Sequence, residues 1–390
     1  MIALPEHEQT DTIHIYCVKP CKEDIDMAIR TLTESQIISV IWGATLLGGG
    51  GGGSLQNGMD LLKKYKQDHP GEIRLPLYQV GDLDPKAYAA VTAGMGAPTA
   101  IKDVDFSAYA TNAFFALRTM ASKMTPPRPL QYSLAVEMGG FNTFVPMLIS
   151  LLNGIPFLDA DGAGRAVPAL NTLLLHINGG DTSPLAMADG TNNKVAIEMA
   201  NARDAELAEV IGRNICVAFN MMSGLSGWMV RKDEIESRLP SGTVTLAEKI
   251  GDVLRAANTR EKFAELSRTG VTCRQFCRGV VTKIETETKK GFDFGKVYIN
   301  DGEWLIYFQN ENLLVTNNGT PVMTVPDIIC AYEYATGMPL TNADIKEGME
   351  VALGAVKVDA KWWKNPKMFE MWEPFLDRVG YHGGCIPYKD

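Results

Sequence analysis

Three acidic residues fall at places where a chain usually presents chemistry: Glu137, Asp159 and Asp161 each follow a short apolar run that reads as a β-strand. Carboxylates gathered at the ends of neighbouring strands could bind a divalent cation, or could push one another's pKa values apart and so divide into an acid and a base. Arg165, four residues beyond Asp161, presents a planar fork of donors that suits Asp161 itself or an anionic or ureide-like substrate. The competing reading is structural, because Asp commonly caps a turn through its own carboxylate. These four residues are the expected catalytic set, with Asp159 and Asp161 as the ligands if a metal is present.

A run of six glycines, Gly48 through Gly53, is the second feature. Residues without a Cβ let backbone amides turn toward an anion while the next helix presents its positive end. The run lacks the Lys-Ser/Thr ending of a P-loop and does not follow a predicted strand, so no nucleotide-binding motif is satisfied. A plain turn or a close approach of backbones explains the glycines equally well. Expected substrate contacts are Gly50, Gly51, Gly52 and Ser54 from this region, with Gly96, Asn142 and Asp189 from later junctions. His176 sits among leucines and reads as a structural histidine, and Cys385 next to His382-Gly383-Gly384 is a weak nucleophile candidate.

Elements that would position these groups are visible around them. Thr33-Glu34-Ser35-Gln36 is a capping box, followed by Ile37, Ile38, Ile41 and Trp42 at helical spacing, so a helix runs into the glycines. Ser54 is the expected N-cap of a second helix, from Leu55 to about Lys66. Ala89 to Ala93, Tyr132 to Val136 and Ile155 to Leu158 read as strands, running respectively into Gly94-Met95-Gly96-Ala97-Pro98, Glu137 to Asn142 and Asp159 to Arg165. Phe144, Val145, Leu148, Ile149 and Leu152 make the apolar face of an intervening helix. Alternating strands and helices predict a three-layer α/β domain over 32–168 with a mostly parallel sheet.

Residues 169–390 carry apolar runs at Leu173 to Ile177 and Leu185 to Ala188, and helical patterns near Ala202 to Ile211 and Thr245 to Ala257. From Val271 to about Thr324 the chain is rich in Val, Ile, Tyr and Phe, with turns at Gly291, Asn300-Asp301-Gly302 and Asn317-Asn318-Gly319. Those turns favour hairpins and predict a β-barrel or sandwich. The tail, with Trp362, Trp363, Trp372 and Tyr381, is expected to pack over a domain surface. Residues 1–31 read as an N-terminal appendage whose Ile13 to Val18 could pair with a sheet edge or a partner.

The totals bound the answer. At 390 residues, two domains are the default. Apolar residues at 46% support folded cores, and a net charge of −9 without a basic cluster argues against a nucleic-acid partner. Seven scattered cysteines do not resemble a disulfide framework, and neither Cys17 with Cys21 nor Cys273 with Cys277 is completed into a zinc set by histidines. No apolar run reaches the ~18 residues of a membrane span and the start lacks a signal-peptide layout, so a cytoplasmic protein with a small-molecule substrate, and a homo-oligomer, is expected.

Taken in order, Gly43-Ala44 before the glycine run, Met95-Gly96-Ala97-Pro98, Glu137-Met138-Gly139-Gly140-Phe141-Asn142 and Asp159-Ala160-Asp161-Gly162-Ala163-Gly164-Arg165-Ala166-Val167-Pro168 resemble the S-methyl-thiohydantoin desulfurase domain family. Phe308-Gln309-Asn310-Glu311, Val325-Pro326-Asp327-Ile328-Ile329 and Thr336-Gly337 resemble its C-terminal domain. The likeness runs from about residue 32 to near the end, and the Asp-x-Asp-Gly-x-Gly-Arg-Ala stretch is its most specific part. It implies an α/β domain followed by a domain with a β-barrel, and an association with hydantoinase and oxoprolinase proteins that act on five-membered cyclic ureides or lactams. Ala169 departs from the pattern, standing where the family commonly has a Glu, which removes one possible acid or metal ligand. The expected function is hydrolysis of a small cyclic ureide or thiohydantoin, by a carboxylate base or a metal-bound water. The alternative is a non-catalytic accessory protein that partners a hydantoinase- or oxoprolinase-type enzyme.

Overall fold

A computed structural model describes residues 29–96, 105–289 and 292–389. Most of the expected appendage, Ala97-Pro98 and the turn at Gly291 lie outside the described residues. Among the described residues the first element is β1 at Arg30–Thr33, slightly before the expected domain start at residue 32.

β1 leads into helix α1 (Glu34–Leu47), and the expected capping box is present, with the Thr33 amide donating to Gln36 Oε1 at 3.0 Å. The glycine run follows, then helix α2 (Leu55–Asp68), where Ser54 Oγ accepts from the Asn57 amide at 3.2 Å. Strands β2 (Arg74–Tyr78), β3 (Tyr88–Gly96), β4 (Leu130–Ala135) and β5 (Phe157–Asp161) build the centre of an eight-stranded sheet. Helix α3 (Phe106–Ser122) connects β3 to β4, and α4 (Phe144–Asn153) connects β4 to β5. These crossovers make β3, β4 and β5 parallel neighbours, as helical connections require.

The sheet does not end at Pro168, where the sequence suggested a division. Strands β6 (Leu185–Ala188), β7 (Lys194–Ile197) and β8 (Met222–Val230) extend it antiparallel from β3, and β1 pairs antiparallel with β2 at the other edge. The order is β1-β2-β5-β4-β3-β8-β6-β7, so the sheet is mixed, with its parallel part confined to β2, β5, β4 and β3. Helices α5 (Ala205–Ala218) and α6 (Thr243–Arg255) complete this half. α6 lies against α1 at a backbone approach that only glycine permits: a Cβ on Gly43 would stand 1.8 Å from Ala247 O, and one on Gly251 1.8 Å from Ser39 O.

The second sheet has eight strands, all antiparallel: β9 (Cys273–Lys289), β10 (Phe292–Ile299), β11 (Trp304–Gln309), β12 (Glu311–Asn317), β13 (Thr320–Thr324), β14 (Ile328–Glu333), β15 (Pro339–Leu340) and β16 (Glu350–Val356). It reaches past the expected 271–324, because β9 is long enough to pair with β10 along one half and β16 along the other. Val281, Ile306, Val315, Ile329, Leu353 and other residues from both halves of the order share one apolar core, so the sheet folds over itself. Asn300, Asp301, Asn318 and the following glycines adopt positive φ, the backbone that tight hairpins need. Helix α7 (Lys367–Arg378) returns the tail to the junction between the halves, where Trp362 and Trp372 are fully buried. Among the described residues no helix is long and apolar enough to cross a membrane.

Candidate active site between the two halves

Parallel sheets present ligands at the carboxyl ends of their strands. Here β3, β4 and β5 end side by side at Gly96, Ala135 and Asp161, and Glu137 lies two residues beyond the end of β4. The segments beyond them are tied together: Asn142 Oδ1 accepts from the Gly94 amide at 3.3 Å, while Asn142 Nδ2 donates to Glu137 Oε1 at 2.7 Å. Val167, from the segment after β5, donates its amide to Glu137 Oε2 at 2.7 Å. Glu137 therefore joins two strand ends. Burial raises its carboxyl to about 7, against the lowering effect of the Val167 and Asn142 donors.

The two aspartates of β5 do different work. Alternation puts Asp159 and Asp161 on the same face of the strand, and both lie inside the strand rather than beyond its end. Asp159 Oδ1 accepts the amides of Val244 and Thr245 at 2.9 and 3.1 Å, and Oδ2 accepts from Gln79 Nε2 at 3.1 Å and from the Thr245 hydroxyl. It is a cap for helix α6, supplied from another strand. Its lone pairs are used, which corrects the expectation of Asp159 as a catalytic or metal-ligating group. Asp161 Oδ2 accepts the amides of Ala163 and Gly164 at 3.0 and 2.7 Å and shapes the turn that delivers Arg165. Burial raises the Asp161 carboxyl to about 7, although those two amides pull it down. Among the described residues, no group of three or more His, Cys, Asp or Glu could hold a metal ion. The side chains do not fit the expected metal at Asp159 and Asp161.

Arg165 is fully buried. Its Nε donates to Ala166 O at 2.8 Å, its Nη1 donates to Pro326 O and Asp327 O at 2.7 and 3.1 Å, and its guanidinium lies over the Trp372 ring. It thus pins the first half to the second. Nη2 has no partner. Burial lowers the guanidinium to about 10, while Glu311, Asp327 and Glu137 hold it up.

The glycine loop is gripped from both halves. Asn312 and Asn342 donate their amides to Gly49 O and Gly50 O at 2.8 and 2.9 Å, and Gly140 and Phe141 donate to Gly53 O and Gly52 O at 3.0 and 3.3 Å. A Cβ on Gly50 would stand 2.5 Å from Asn342 Nδ2, and one on Gly51 1.9 Å from Glu311 Oε1. The expected anion cradle is occupied by the protein's own carboxylate, Glu311, whose pKa burial raises well above the usual range. Glu311 is not marked by any local motif because it opens an ordinary-looking strand; the signal in the sequence is Phe308-Gln309-Asn310-Glu311, three consecutive polar residues in an otherwise apolar run.

Other expected contacts fall elsewhere. Asp189 closes its own hairpin between β6 and β7, accepting the amides of Thr191 and Asn193 at 2.8 and 2.9 Å. Gly96 is a strand residue opposite Met222, where a Cβ would stand 2.2 Å from Met221 O. The Ser54 hydroxyl is committed to the α2 cap. His382 pairs with Asp377 at 2.8 Å, and burial pushes the Cys385 thiol up to about 11, away from the thiolate form a nucleophile needs. Ala169 opens the short turn Leu170–Thr172. The candidate site that remains draws Glu137, Asn142, Asp161 and Arg165 from the first half and Glu311, Asn312 and Asn342 from the second, the last three gathered on the glycine loop.

Comparison with known proteins gives two results. Residues 35–199 match the family described as S-Me-THD-like, N-terminal domain, and residues 203–382 match S-Me-THD-like, C-terminal domain. A crystal structure of a protein from Chromobacterium violaceum superposes with a TM-score of 0.79 at 24% identity, covering 92% of this chain and 100% of that one, which establishes a shared fold. No curated protein matches the chain.

Proposed function

We propose, from the premise that this chain belongs to the S-Me-THD-like family, that it is a hydrolase acting on a small cyclic ureide of the S-methyl-thiohydantoin kind. The observation that carries this reading is Glu137: a carboxyl at a parallel strand end, held by Asn142 and the Val167 amide, with a pKa near 7. A base is most effective when its pKa lies close to the working pH.

Water attacks the ring carbon between the two nitrogens, and Glu137 takes its proton. A C–O bond forms and the C–S bond breaks, its electron pair leaving with sulfur. One proton of the attacking water ends on the thiolate, completing methanethiol, and the other ends on the ring nitrogen as the ring carbon becomes the carbonyl of a hydantoin. Arg165 Nη2, the guanidinium nitrogen without a protein partner, is the donor for negative charge that develops during attack. No step passes through a metal.

The test is release of thiol from S-methyl-thiohydantoin by the purified full chain, with hydantoin and oxoproline analogues run in parallel. Turnover is expected, unaffected by chelation, and Glu137→Gln should lower kcat by about 10²–10⁴-fold. No turnover of any of the three would reject the hydrolase and leave the partner role beside a hydantoinase-type enzyme, which gel filtration with that enzyme would test.

A further inference from the structure

Glu311 opens β12 in the second sheet, yet its side chain lies against the glycine loop of the first half. It is 3% exposed, and its Oε2 has no hydrogen-bond partner. The amides on either side are fixed with their oxygens unpartnered: Asn312 Nδ2 donates to Ile329 O at 2.9 Å and Asn342 Nδ2 to Asn310 O at 2.8 Å, and neither Oδ1 finds a donor. Glu311 meets the loop at Gly51, the next residue Gly52 packs on Met138 and Gly139 beside Glu137, and Gly49 packs near Arg165 Nη2, so Glu137 and Arg165 are the charges that act on Glu311. Glu137 in turn faces Asp161 and Arg165, and Arg165 also faces Asp327 and Cys330. Asp327 is not free to join in, since the amides of Val358 and Tyr388 hold its two oxygens at 3.0 and 2.8 Å.

Two buried carboxyl groups against one guanidinium leave a net negative charge if both ionise, and a buried uncompensated charge is costly. One shared proton makes the set of Glu137, Glu311 and Arg165 neutral. We propose that Glu311 is the acid partner of Glu137 across the junction of the two halves: it carries the proton while Glu137 acts as the base, and it delivers that proton to the departing sulfur or ring nitrogen. The role of proton donor rests on the hydrolase reading; the shared proton does not. After transfer, the proton that Glu137 took from water restores the pair, so no outside acid is needed.

The shared proton is tested without a substrate. Carbon-13 NMR of the full chain labelled at glutamate carboxyls should show one carboxyl, absent from Glu311→Gln, that stays protonated at neutral pH. Replacing Glu137 with Gln removes the neighbouring negative charge, so the Glu311 midpoint should fall by at least one pH unit. An unchanged midpoint overturns the shared proton, whether or not the protein hydrolyses thiohydantoins. If Glu311→Gln does not fold, Glu311→Asp identifies the signal by its displacement. For the donor role, Glu311→Gln should lower kcat at least 100-fold, remove the high-pH limb of the pH–rate profile and leave KM within threefold. A retained high-pH limb overturns the donor, and absence of turnover in the unmodified chain overturns the hydrolase reading instead.

Discussion

The acidic residues of β5 show how one residue type, two positions apart, can serve unlike ends. Both are buried and on one face, so alternation and composition cannot distinguish them; what separates them is the donors they meet. Asp159 meets the open end of α6 and is saturated, whereas Asp161 meets a turn that uses one oxygen. The sequence showed that carboxylates gather at strand ends and that capping was the alternative, but the capped helix lies more than 80 residues downstream of Asp159, beyond any local pattern. Asp159→Ala should therefore cost stability rather than chemistry. Loss of the cap and stranding of buried donors predict a loss of about 2–4 kcal/mol in urea unfolding, with kcat near that of the parent below the melting range. A variant that stays fully stable but loses turnover would return Asp159 to the catalytic set.

Local elements were legible wherever their cause was local. The Thr33 box, the Ser54 cap and the Asn-Gly hairpin turns each appear where residue chemistry places them. Sheet membership was not, because β8 joins β3 through pairs such as Thr92 with Ser226, which no short window contains. The glycine loop lies between these cases. Its length was obvious, but its reason is contact with Asn312, Asn342 and Glu311 of the second half. The loop is also positioned from behind: Asp159 caps α6, α6 meets α1 at Gly43 and Gly251, and α1 runs into the glycines. Gly51→Ala would drive a methyl into Glu311, whereas Gly81→Ala meets nothing within 4 Å and needs no unusual φ. The first should lower stability by about 1–3 kcal/mol and the second by less than about 0.5 kcal/mol, read from thermal melts. Equal melts would mean that the loop is not held by the second half.

At the scale of the molecule, the two halves meet over buried acids, and this ties stability to pH. Glu137 rises from an ordinary 4.5 to about 7 and Asp161 from 3.8 to about 7, both because burial disfavours the charged form. The native state therefore binds protons more tightly than the unfolded chain through that window. A group raised on folding contributes stability below its unfolded pKa and loses it as pH climbs through the folded value, here from about pH 4 to about pH 7. Each such group tilts the unfolding free energy by up to about 1.4 kcal/mol per pH unit, and Glu311 acts in the same direction. Urea unfolding should accordingly show the chain more stable near pH 5 than near pH 8, opposite to a protein whose carboxylates are stabilised as ions. Glu137→Gln and Asp161→Asn should each flatten the slope by removing one titrating group. Arg165 pins the halves together through the carbonyls of Pro326 and Asp327, close to the acids whose neutral forms relax the buried charge. A slope of the opposite sign would show that the acids at the junction are ionised and compensated, and both the shared proton and the base at Glu137 would then lose their physical ground.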